Sequence, residues 1–168
     1  MAPSCGNKPS QALTAYVHFC TFLLERNLAL RDICFRQGVP AVEDLIAILV
    51  AEDDQAIQTL VEATLEEGGF APAIAASGEE AITLLQGQKM KYRALVTDIN
   101  LLGRINGWEA AKRAREIDPT FPIIYMTAVA ADDWVSRGVP NSVLLTKPFA
   151  PAQLVTALSN LLTNSLTM

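Results

Sequence analysis

Residues 46–54 read IAILVAEDD, an apolar run of β-branched and aliphatic side chains that stops abruptly on three acids. Four to eight continuous apolar residues ending this way are the pattern of a buried strand whose carboxyl end carries chemistry. Working outward, further short apolar runs follow at 70–75, 94–96, 122–126 and 142–145. Between them lie stretches with helical spacing. Ile57, Leu60, Val61, Thr64 and Leu65 recur on one face before Gly68-Gly69, a helix stop. Ser77-Gly-Glu-Glu80 is a capping box that opens a second helix. Residues 107–117 and 130–137 supply a third and fourth. Leu154, Leu158, Leu161 and Leu162 line one face of a fifth. Five such βα units predict an α/β fold with a doubly wound, five-stranded parallel sheet, whose functional groups lie beyond the carboxyl ends of the strands.

The 168-residue chain is 51% hydrophobic and 18% charged, with mean hydropathy +0.25. That composition builds a core and excludes a disordered chain. Its net charge of −5 would repel a phosphate backbone, which argues against a direct nucleic-acid partner. Gly38 and Pro40 mark a change of texture, dividing an N-terminal extension (residues 1–44) from a domain over 45–168. Lys8, Arg26, Arg31 and Arg36 balance Glu25, Asp32, Glu43 and Asp44, so the whole net charge belongs to the second part. In the extension, residues 10–36 read as a helix. Its apolar stretch, 12–24, would be roughly 20 Å long against a hydrocarbon core of about 30 Å, so it is expected not to span a membrane. No clean leader cleavage site follows it. The same apolar face is a candidate homodimer contact. Cys5, Cys20 and Cys34 lack metal-site spacing and read as reduced thiols, which places the chain in the cytoplasm.

The polar residues at the strand ends are Glu52 and Asp53 after the first run, Asp98 in LVTDIN (95–100), Thr127 in IIYMTA (123–128) and Lys147 in LLTKPF (144–149). Each alone has an ordinary explanation as a cap, turn or solvated charge. Together they converge on one pocket, and phosphoryl transfer to a carboxylate is the chemistry that needs them. Two carboxylates about 5 Å apart repel by roughly 3 kcal/mol at an effective dielectric near 20, so three require cations. Lys147 supplies one and Mg²⁺ the other. Magnesium accepts one or two carboxylates with waters and carbonyls. Asp53 and Asp98, with a backbone carbonyl near Asn100, satisfy it, and Glu52 acts directly or through water. Asp98 is then the nucleophile, with Lys147 and Thr127 engaging the transferred group.

These residues, in this order, resemble the receiver domains of two-component response regulators across about residues 45–165. The texture DINL…NGWE and LLTKPF is similar to receivers that stand alone or end a hybrid kinase. The resemblance implies a flavodoxin-like fold of strand order 2-1-3-4-5 and Mg²⁺-dependent phosphorylation of Asp98. It also implies a phosphohistidine donor, either a sensor histidine kinase or a histidine phosphotransfer protein, and a downstream protein target. A cis peptide before Pro148 is implied as well. The chain departs from the family in having Glu at 52 for the commoner Asp, a loop after Asp98 one residue longer than in chemotaxis-type members, and Leu144 where an aromatic is frequent. With only residues 163–168 beyond the last leucine, a single-domain regulator is expected, whose output is protein contact or phosphorelay. The alternatives are a phosphorylation-independent receiver-like binding module, and an aspartate-nucleophile phosphohydrolase. The latter needs Asp-x-Asp where this chain has Asp98-Ile-Asn100, so its general acid is missing.

Overall fold

The computed structural model describes residues 45–87, 92–129 and 132–165. The expected extension, its helix over 10–36 and its apolar dimer face lie outside the described residues. In chain order the elements are β1 (Ile46–Ala51), α1 (Gln55–Glu67), β2 (Phe70–Ala75), α2 (Gly78–Gly87), β3 (Tyr92–Asp98), α3 (Gly107–Ile117), β4 (Ile123–Thr127), α4 (Trp134–Arg137), β5 (Val143–Thr146) and α5 (Pro151–Ser165). The strands form one parallel sheet of order β2-β1-β3-β4-β5. This is the expected flavodoxin-like sheet.

Alternation along each strand divides the core into two layers, because successive side chains leave opposite faces. Ile48, Val50, Ala94, Val96, Ile124 and Met126 face α1 and α5, meeting Val61, Leu65, Leu154, Leu158 and Leu162. Leu49, Ala51, Leu95, Ile123 and Tyr125 face α2 and α3, meeting Ala81, Leu85, Trp108, Ala111 and Ala114. Both faces are covered, which is why the strands read as unbroken apolar runs.

Three details differ from the sequence expectation. Leu60 is half-exposed, because the buried stripe of α1 runs through Gln58, Val61, Thr64 and Leu65. Of the helix expected over 130–137, only α4 is helical. Asp132 and Asp133 form a turn before it, residues 130–131 lie outside the described set, and Gly138 ends it after one turn. The α2 capping box is also offset. Ser77 Oγ accepts from the Glu80 N–H at 3.2 Å, whereas the Glu80 carboxylate reaches back to the N–H of Ala76 at 2.8 Å, one residue before the cap.

Candidate functional site: an acidic pocket at the carboxyl ends of β1, β3 and β5

β1 delivers Glu52 and Asp53 and β3 delivers Asp98, because the two strands pair directly, Ala51 beside Thr97. Their carboxylates come together: one oxygen from each of Glu52, Asp53 and Asp98 lies within 4.8 Å of the others. Glu52 and Asp98 are buried and Asp53 is partly exposed. The third acid of the run, Asp54, turns away and caps α1, accepting from the N–H groups of Ala56 (2.8 Å) and Ile57 (3.1 Å). That frees Glu52 and Asp53 from the capping role that either could have filled.

β5 brings the cation. Lys147 Nζ donates to Glu52 Oε2 at 2.7 Å and stands 3.3 Å from Asp98 Oδ1. The Lys147–Pro148 peptide is cis, as the resemblance implied. The Lys147 N–H also donates to the Thr127 carbonyl at 2.7 Å, so the backbone leaving β5 is tied to the end of β4. Burial raises the Glu52 carboxyl above its ordinary range, and Lys147 acts in the opposite direction without cancelling that rise. At Thr127 the side-chain oxygen accepts from the Val129 N–H at 3.2 Å, anchoring the loop that leaves β4. Asn100 is exposed on the loop after β3.

A group of three carboxylates with a single ammonium is short of positive charge. It fits a hard divalent cation that takes oxygen ligands, so Asp53, Asp98 and Glu52 could hold magnesium. A carboxylate between such a cation and an ammonium can accept a phosphoryl group, since both neutralise charge on the transferred oxygens.

The model of the response regulator receiver domain matches residues 48–159, two-thirds of the chain and every element from β1 into α5. The chain belongs to this family. The receiver domain has relatives of known type. It is 37% identical over 110 residues to the transcriptional regulatory protein AfsQ1 of Streptomyces coelicolor, covering 58% of this chain and 47% of that protein. It superimposes on a response regulator receiver protein from Sinorhizobium medicae with TM-score 0.71 and 41% identity, over 73% of this chain and 98% of that one. It also matches the receiver domain of a sensor histidine kinase of Pseudomonas aeruginosa, crystallised with a magnesium ion coordinated in its active site cleft. That match has TM-score 0.63 and 29% identity, over 71% and 98% of the two chains. The chain spans about half the length of the curated relatives it matches.

Four residues that shape this receiver site escaped the sequence reading. Gln58, buried on α1, donates from Nε2 to the Glu52 carbonyl at 2.6 Å and fixes the backbone between the two acids. Asp54 carries the cap. Gly107 lets α3 start against β3, since a Cβ there would stand 2.1 Å from the Asp98 carbonyl oxygen. Glu79, on the first turn of α2, accepts the Arg104 N–H at 2.8 Å and holds the loop that follows Asp98. The polar neighbours of Asp54 and the helix-opening position of Gly107 were visible as local signals. Gln58 and Glu79 gave none.

Proposed function

We propose that this chain is a phosphoacceptor response regulator in which Asp98 receives a phosphoryl group from the phosphohistidine of a sensor histidine kinase or a histidine phosphotransfer protein. The observation that carries the reading is the position of Asp98: its carboxylate shares one pocket with Glu52 and Asp53 and stands 3.3 Å from the Lys147 ammonium. An Asp98 oxygen attacks phosphorus as the phosphorus–nitrogen bond to the donor imidazole breaks. Lys147 neutralises negative charge gathering beside Asp98. The Thr127 hydroxyl, at the end of β4, donates to an oxygen of the transferred group. Asp53 and Asp98, the Asn100 backbone carbonyl and Glu52 would hold magnesium, which would supply positive charge to the transferring phosphoryl oxygens. Lys147 already donates to Oε2 of Glu52, so Glu52 would reach that ion through water or through its other oxygen.

The phosphorylated form reports to a protein target or passes the group on, in the cytoplasm and without direct contact of the receiver domain to nucleic acid. Residues 1–44 form an extension that is not needed for the pocket, whose side chains all follow Leu45. Among the described residues, no helix is long and apolar enough to cross a membrane.

The test is intact mass after incubation with a small phosphodonor, with and without Mg²⁺. One phosphoryl group should be added only with the metal, and Asp98→Asn should add none. Labelling of Asp98→Asn to the parent's stoichiometry would overturn the assignment. A parent that never labels would make the chain a phosphorylation-independent binding module.

A further inference from the structure

Beyond the loop that follows Asp98 lies a cleft of about 340 Å³ that includes Asn100, Gly103, Arg104, Asn106, Trp108 and Arg137 in its lining. Glu52, Asp53, Asp98, Thr127 and Lys147 do not line it, whereas Asn100 does, so it adjoins the carboxylate pocket without including its acids. Its floor is rigid. Trp108 is 3% exposed, belongs to the core layer under α3, and packs its ring 4.7 Å from that of Tyr125.

Two arginines from different elements line this cleft. Arg137, on α4, lies over the Trp108 ring with its central carbon 5.5 Å from the centroid. An indole face holds the guanidinium plane and leaves its N–H edge free to donate. Its ion pair with Asp133 is long, 3.7 Å, and half-exposed on both sides, so it ties up little of that capacity. Arg104 stands on a loop that is itself fixed. Its N–H is held by Glu79, and Gly103, at φ 120°, passes so close that a Cβ would meet a Glu79 carboxylate oxygen at 2.9 Å. Gly78 packs under the same loop, where a Cβ would stand 2.3 Å from the Ile105 carbonyl oxygen. Among the described residues, neither guanidinium donates a hydrogen bond, although the Glu79 carboxylate lies within electrostatic reach of Arg104. Asn106 spends its side-chain oxygen on the Glu109 N–H, which leaves its amide hydrogens as further donors.

We propose that this cleft binds a small phosphate-class oxyanion, gripped between Arg104 and Arg137 with the Asn106 amide as an additional donor. In a chain of net charge −5, two arginines whose guanidinium groups donate no hydrogen bond among the described residues line one concavity, and a planar guanidinium suits phosphate oxygens. A ligand bridging them would tie α4 to the loop that starts at Asp98, linking its occupancy to the state of the acceptor site in both directions.

The experiment is a titration of the full chain with inorganic phosphate and, in parallel, glycerol phosphate, without Mg²⁺ and at ionic strength held constant with chloride. Backbone amide chemical shifts are the primary readout and calorimetry the second. The expected result is saturable shifts at Arg104, Asn106 and Arg137, affinity lower by about tenfold or more in Arg104→Gln and Arg137→Gln, and saturable shifts at the same three residues in Asp98→Asn. The lysine variants Arg104→Lys and Arg137→Lys should bind more weakly than the parent, because they keep charge but lose the planar fork. Tighter binding of glycerol phosphate would assign the cleft to phosphorylated metabolites, and tighter binding of inorganic phosphate to the free ion. No saturable shift with either anion, or equal affinity in the parent and the glutamine variants, would overturn the proposal. Because no phosphoryl transfer is involved and Asp98→Asn is included, these outcomes do not depend on the Asp98 assignment.

Discussion

Replacing Lys147 by methionine removes an ammonium while keeping a stem of similar length, and the structure sets the size of the effect. Lys147 Nζ lies 2.7 Å from Glu52 and 3.3 Å from Asp98, and Glu52 is 1% exposed. Removing one partner of a buried ion pair costs about 3–5 kcal/mol, because the other charge is stranded. Lys147 is itself 15% exposed and Glu52 can escape by taking up a proton, so about 2–3 kcal/mol is expected near neutral pH. For a chain of this size that lowers Tm by roughly 6–10 °C. The double variant Glu52→Gln/Lys147→Met carries no stranded charge and should recover most of the loss, a coupling of about 2 kcal/mol.

The pH dependence has a definite sign. Burial already holds the Glu52 carboxyl above the 4.5 of the free side chain, and Lys147 is what opposes that rise. Without Lys147 the native carboxyl moves further up. Between the unfolded and the native pKa the native state binds the extra proton, so stability falls as pH rises through that window and is fully kept below it. The deficit of Lys147→Met should therefore be smaller at about pH 5 than at about pH 8 in urea unfolding with unchanged m-value. A double variant no more stable than Lys147→Met alone, or a deficit independent of pH, would refute the reasoning.

Asp53→Asn should weaken magnesium binding by about tenfold or more, since it removes one of the few anionic ligands that ion accepts; an unchanged magnesium titration would count against the role. Gly107→Ala should destabilise by about 2–3 kcal/mol and slow labelling of Asp98, because its Cβ meets the Asp98 carbonyl oxygen at 2.1 Å and the Ile99 Cα at 2.9 Å; chemical unfolding checks the first and intact mass the second. Thr127→Ala should weaken the response of Trp134 fluorescence to a phosphoryl mimic more than Leu144→Ala does, in a Trp108→Phe background. The Thr127 hydroxyl anchors the Val129 N–H in the loop toward α4. Leu144 and Trp134 share the apolar layer around Tyr125. A response kept in Thr127→Ala and lost in Leu144→Ala would reverse that relay.

The sheet and its active end could be read from the chain alone. Strand runs such as 94–96 and 122–126 are apolar throughout because both faces of a central parallel strand are buried, and that signal is local. The acids, threonine and lysine that end β1, β3, β4 and β5 were visible for the same reason, each standing directly after such a run. Tertiary structure alone decided which atoms meet. Lys147 and Glu52 are 95 residues apart, and the pairing of β1 with β3, β3 with β4 and β4 with β5 is what brings them to one end of one sheet. Glu79 grips Arg104 across 25 residues, and Arg137 reaches the face of Trp108 from another helix. Among the three consecutive acids, only the turn into α1 selected Asp54 as the cap and left Glu52 and Asp53 for the pocket. Periodicity reports the environment of a residue along its own element, whereas a side-chain partner is fixed by packing between elements. The first is written in a window of ten residues, and the second exists only once the chain has folded.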